Sequence, residues 1–129
     1  MERQLVSSGS PFEPIVGYSR AVRVDERVFV AGCAPIMPDG SDPPPDAYGQ
    51  TRRCLEIIAA ALQEAGGSLR DVVRTRVYLT TPEAFDGMAR AHAEAFSDVR
   101  PANTTVVVAL IDPRWLLEIE VEAVLSRAG

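Results

Sequence analysis

The chain has 129 residues, 47% of them hydrophobic and 24% charged, with a formal net charge of −5. That length predicts one domain over residues 1–129 with a core of its own, and the acidic balance argues against nucleic acid as a partner. No apolar run approaches the ~20 residues of a membrane span, and none follows Met1–Leu5 as a signal peptide requires, so the expected setting is cytoplasmic and off the membrane.

Residues 1–19 are rich in Ser, Gly and Pro and open with a short strand. Arg20–Asp25 and Arg27–Ala31 alternate apolar with polar residues and read as a hairpin turning at Asp25-Glu26. A loop from Gly32 to about Pro45 follows, long enough to suggest a functional or moving segment. Asp46 caps a helix that runs to Ala65 and stops at Gly66-Gly67, with Leu55, Ile58, Leu62 and Ala65 as its apolar stripe. Val72–Thr80 alternates again as a strand. Thr80 or Thr81 caps a second helix with Pro82 and Glu83 in its first turn and Phe85, Met88, Ala89, His92 and Phe96 on its apolar face. Two strands, about 103–110 and 116–125, close the chain around an Asp112-Pro113 break. The order β-β-β-α-β-α-β-β predicts an α+β fold, a mixed six-stranded sheet with two helices on one face. The other face is left bare, and oligomerisation is the simplest cover for it.

Motifs exclude more chemistry than they assign. Dinucleotide, P-loop, zinc-protease and serine-hydrolase signatures are all missing. His92 is the only histidine, which excludes multi-histidine metal centres, and nothing calls for a metal or other cofactor. Cys33 and Cys54 lack metal-ligand or framework spacing and read as buried free thiols. Lysine is absent, and the arginines are dispersed without a basic cluster. The last strand carries Glu118, Glu120 and Glu122 on one face. Each reads as solvent decoration or as a working group. Three like charges repel, so an arginine is expected beside them, with Arg20, Arg74, Arg76 and Arg100 as candidates. Tyr18 either reaches a ligand or plugs a core edge, and Gly32 marks either a ligand's close approach or a bulge.

Gly17-Tyr18-Ser19-Arg20-Ala21-Val22, Val28-Phe29-Val30-Ala31-Gly32, Gln50 through Leu62 with Gly66, Val72 through Thr80, Arg100-Pro101-Ala102 and Ile119-Glu120-Val121-Glu122-Ala123 carry a resemblance. In that order, the chain resembles the YjgF/RidA family (also called endoribonuclease L-PSP) from about Pro14 onward. The resemblance implies a chorismate-mutase-like fold and a homotrimer with helices outside a central barrel. It also implies a small-molecule pocket in each inter-subunit cleft. The family's deaminase branch hydrolyses enamines and imines such as 2-aminoacrylate and 2-iminopropanoate to the keto acid and ammonia. By the same resemblance Glu120 places the attacking water. Tyr18, Ala31, Gly32, Cys33, Asn103 and Arg100 lie at the substrate-binding positions or beside them.

Two residues depart from the family pattern. Asn103 stands where an arginine clamps the substrate carboxylate, and Ala31 stands where a serine precedes the strand-end glycine. Replacing a guanidinium by an amide removes a charge-assisted contact worth roughly 1.5–3 kcal/mol. The chain thus resembles a divergent subgroup without the carboxylate clamp. The first expected function is hydrolysis of an imine, enamine or related metabolite that need not carry a carboxylate. The second is a non-catalytic trimer that binds a metabolite or partner protein. An endoribonuclease ranks last, because the chain is acidic and has neither a histidine pair nor a basic patch.

Overall fold

A computed structural model describes residues 2–126. The elements run β1 (Arg3–Val6), α1 (Phe12–Val16), β2 (Ala21–Val24), β3 (Arg27–Cys33), α2 (Ala47–Glu64), β4 (Val72–Leu79), α3 (Phe85–Phe96), β5 (Ala102–Val107) and β6 (Leu117–Val124). The strands form one mixed sheet in the order β1-β2-β3-β6-β4-β5, in which only β4 and β5 run parallel. The last strand thus lies between β3 and β4, and α3 provides the crossover that the parallel pair requires.

Period-two alternation decides which residues meet the helices. In β6, Leu117, Ile119, Val121 and Ala123 are buried while the glutamates between them face the other way. In β4, Thr75, Val77 and Leu79 are buried likewise. The α2 stripe of Leu55, Ile58 and Leu62 joins them, with Met88 and Phe96 of α3, in a single core. Asp46 caps α2 as expected, its carboxylate accepting from the Gly49 N–H at 2.8 Å. Gly66, at φ +98°, turns the chain out of the helix where a side chain would be strained.

Three expectations change. The segment before Tyr18 contains a one-turn helix, α1, invisible to periodicity because side-chain bonds to the preceding segment hold it. Glu13 is buried there, accepting from the Ser7 hydroxyl at 2.8 Å and from the Ser8 N–H and hydroxyl at 3.1 and 2.6 Å. The second helix starts at Phe85, after a 3-10 turn over Pro82–Ala84. Thr81 makes no capping bond to the backbone, because its hydroxyl is spent on the Glu83 carboxylate. The closing strands are also shorter than expected, at Ala102–Val107 and Leu117–Val124.

The long loop is anchored, not loose. Gln50, buried in α2, donates to the Pro44 carbonyl at 3.0 Å and the Arg114 carbonyl at 3.1 Å, and accepts from the Leu116 N–H at 2.7 Å. Arg53 donates to the Ile36 carbonyl at 2.7 Å.

Candidate functional site on the open face of the sheet

The face of the sheet turned away from α2 and α3 carries a charged ladder with apolar flanks. Register sets Arg74 opposite Glu122, Arg76 opposite Glu120 and Tyr78 opposite Glu118. Arg76 lies 3.1 Å from Glu122 and 3.5 Å from Glu120, and Arg74 lies 3.8 Å from Glu122. Of the four arginines expected beside the glutamate row, Arg74 and Arg76 therefore pair with it. On one flank Leu5, Val22 and Phe29 register across β1, β2 and β3; on the other, Val106 lies beside Tyr78. Phe29 and Val106 are 42% and 41% exposed, a large apolar area for one chain to leave wet.

Glu120 is held from two sides. Tyr78 donates its hydroxyl to the Glu120 carboxylate, and Arg76 approaches the other oxygen. That bond raises the Tyr78 phenol above its ordinary value, with burial adding to the effect. A carboxylate so fixed keeps one orientation, which is what directing a water needs.

One end of the ladder meets the tip of β3, where register slips between Val30 and Cys33 and produces a bulge at Ala31-Gly32. The Glu118 carboxylate fills the space over Gly32: a Cβ there would lie 2.3 Å from Glu118 Oε1. A side chain at 32 would have to push aside this carboxylate, which is the flexible end of the Glu118 side chain. Among the described residues Glu118 makes no hydrogen bond or ion pair, and burial pushes its carboxyl above the ordinary value of 4.5 against the pull of Arg20.

Arg20 organises this end. Its guanidinium is buried, donating to the Gly32 carbonyl at 2.7 Å and the Tyr18 hydroxyl at 3.0 Å, and lying over the Tyr18 ring. Its ion pair is with Glu13 at 3.8 Å; on the glutamate ladder it exerts only its pull on Glu118. Cys33 lies against it, with Sγ 3.5 Å from Nη1, and donates to the Ala31 carbonyl. Burial, only partly opposed by Arg20, pushes the Cys33 thiol up to about 11, so it is no nucleophile at neutral pH. Cys54 is buried and its thiol is raised well above its ordinary value by the same cause.

The structure therefore brings Tyr18, Ala31, Gly32 and Cys33 together around Arg20 and places Glu120 on the adjoining open face. Asn103 does not join them within one chain. It registers with Thr75 and so lies on the helix-side face, opposite to Glu120. Its amide donates to the Thr75 hydroxyl at 3.0 Å and accepts from the Thr105 hydroxyl at 3.0 Å. Thr75 is fully buried and its hydroxyl lies 2.9 Å from His92 Nε2, the donor of that pair being set by the ring's tautomer. Burial lowers the His92 ring below its ordinary value. Arg100 is exposed before β5, donates to the Ser97 carbonyl at 3.3 Å, and contacts none of the other candidates.

Residue reading underrated Arg20 and Tyr78. The available signals were the two-residue spacing of Tyr18 and Arg20 and the alternation of Tyr78 with Arg76 and Arg74. Glu118 was visible in the glutamate row, but its seat over Gly32 depends on the bulge.

The family profile described as endoribonuclease L-PSP matches residues 8–125. The chain belongs to this family. Within it, an uncharacterized protein of Streptomyces coelicolor is 41% identical, over 92% of this chain and 89% of that one. The 3-aminoacrylate deaminase RutC of Acinetobacter baylyi is 35% identical, over 89% and 91%. A crystal structure of a YjgF/YER057c/UK114 family member from Mycobacterium tuberculosis superposes at TM-score 0.88 with 45% identity, covering 96% of this chain and all of that one. A Rid-family protein of unknown function from Yersinia pestis superposes at TM-score 0.85 with 29% identity, covering 96% and 100%. The expected YjgF-type α+β fold is the observed one. The family also has a deaminase-named member, while for this chain no helix is long and apolar enough to cross a membrane among the described residues.

Proposed function

We propose that this L-PSP family protein is a Rid-type hydrolase acting on a small imine or enamine, in a cleft formed where the open faces of three copies meet. The observation that carries the reading is Glu120, fixed between Tyr78 and Arg76 on an exposed face beside the Tyr18–Arg20–Gly32 cluster. In the reaction Glu120 takes a proton from water as the oxygen bonds to the C=N carbon. The nitrogen takes up that proton to give a carbinolamine; the hydroxyl proton then passes to nitrogen as the carbon–nitrogen bond breaks, leaving a carbonyl compound and ammonia with one water consumed. An enamine first tautomerises to the imine, its carbon gaining the proton that its nitrogen loses. Glu118, with its raised carboxyl at the edge of this site, is placed to return a proton to nitrogen. Asn103 stands where the family pattern has the carboxylate-clamping arginine, so the substrate favoured by this site need not carry a carboxylate. Asn103 lies on the edge strand β5, and its place in the cleft rests on the resemblance alone, through assembly with a neighbouring copy.

A second reading, a non-catalytic trimer that binds a metabolite or partner, is favoured by one observation: the Asn103 amide is already engaged by Thr75 and Thr105. The test is ammonia release from freshly generated 2-iminopropanoate and from an uncharged imine, with wild type, Glu120→Gln and Asn103→Arg. Turnover of the uncharged imine should fall by at least about 100-fold in Glu120→Gln, the range for loss of a general base. Asn103→Arg should raise activity on 2-iminopropanoate. Equal turnover by wild type and Glu120→Gln removes the assigned role, and silence of all three proteins on both substrates supports the binder.

A further inference from the structure

A groove along α2, which shares Arg20 and Cys33 with the cluster beside Glu120, has the features of a second ligand site. It consists of a cavity of about 400 Å³ and a smaller one of about 220 Å³ that share Ser8, Arg20, Arg53 and Ile57. The larger is walled by Phe12, Ile36, Met37, Pro38 and Ile57, and lies in the size range of small-molecule sites. Phe12 and Ile36 remain 47% and 40% exposed there, so their apolar surface is available to a ligand.

Charge fixes the polarity of that ligand. Two guanidiniums stand at the junction of the cavities. Arg20 is compensated by Glu13, but Arg53 is only partly satisfied. Its Nε serves the Ile36 carbonyl and its Nη1 lies 3.2 Å from Glu56, itself largely exposed. Nη2 has no partner among the described residues, leaving one N–H₂ group of the guanidinium free in a mostly apolar groove. The smaller cavity also contains Glu56 and Glu64, which repel a second negative charge. We infer that this groove binds a small monocarboxylate with an apolar body, its carboxylate on Arg53 and its chain between Phe12, Met37 and Ile57.

Hexanoate is the probe, titrated into the full-length protein and followed through the methyl resonances of its isoleucines and methionines. Saturable shifts of Ile36, Met37 and Ile57 are expected, with the millimolar-range affinity typical of so small a ligand. Arg53→Gln should weaken binding about tenfold, the cost of one charge-assisted contact. Ile57→Trp, which fills the larger cavity, should abolish it. Hexan-1-ol should bind about tenfold more weakly and be indifferent to Arg53→Gln. Shifts confined to Ile119 of β6 would place the ligand by the catalytic cleft and overturn the inference, as would absence of saturation or equal affinity for hexylamine. Because methyl shifts are read on wild type, the result does not depend on any variant folding. It is also independent of whether Glu120 supports turnover.

Discussion

Gln50 shows how much one side chain can organise. It is an amide in an otherwise apolar helix face, and it closes three backbone groups from two separate loops. Gln50→Leu preserves the volume but strands those groups, and should cost about 2–4 kcal/mol in chemical denaturation. Glu118 makes the opposite contribution. Its carboxyl is raised from 4.5 mainly by burial, so charging it costs more in the folded chain than in the unfolded one. That cost is absent below about pH 4.5, grows as pH rises through the raised value, and is complete above it. Glu118→Gln should therefore melt above wild type at pH 8, with the gap closing at pH 4. A constant gap across that range would show that the charge is not responsible. Glu13 titrates with the other sign. Burial alone would raise it, but bonds from Ser8 and Ser7 and the Arg20 charge hold it below the usual value, so its contribution is lost only as pH falls through that lowered value.

At the scale of elements, the helices and the buried strands were legible because a local period recorded them. The α2 stripe and its cap come straight from the order of residues, since Asp46 and Gly66 act on their own neighbours. α1 was not legible, because Glu13 holds it through Ser7 and Ser8 of the preceding segment. How closely the two main helices approach was equally hidden. At Gly87 of α3, a Cβ would lie 2.9 Å from the Tyr48 backbone nitrogen and 3.2 Å from Ala47 Cβ of α2. Backbone cannot yield as a flexible side chain can. Gly87→Ala gains about 1 kcal/mol of helix propensity and loses about 1–3 kcal/mol to overpacking. A net drop in thermal midpoint is expected; a rise would mean that the helices can part without cost.

For the whole molecule the open face is the deciding feature. Leu5, Val22 and Phe29 on one side and Val106 on the other flank a ladder of arginine–glutamate pairs, an arrangement better suited to an interface than to solvent. Three copies joined through this face should give a trimeric mass in native mass spectrometry at micromolar concentration. Replacing Phe29 by Asp should reduce it to monomer. A monomeric wild type would leave the proposed cleft without its second wall, and the assignment of Asn103 to it would fall.

The order of residues alone determined the alternation of helices and strands, the acidic character of the chain and the glutamate row, because each is written in near neighbours. It also carried the resemblance, which implies a shared site for Tyr18, Gly32 and Glu120. Only tertiary structure decided which arginine meets which carboxylate: Arg76 reaches Glu120 through the register of β4 on β6, while Arg20 pairs with Glu13. The same is true of Asn103. Its place on strand β5 was readable, but the face it occupies follows from parallel pairing with Thr75 on β4, a contact between residues 28 positions apart in the chain. Strand register is fixed by the packing of one whole face, and a shift of a single residue would reverse every side chain on it.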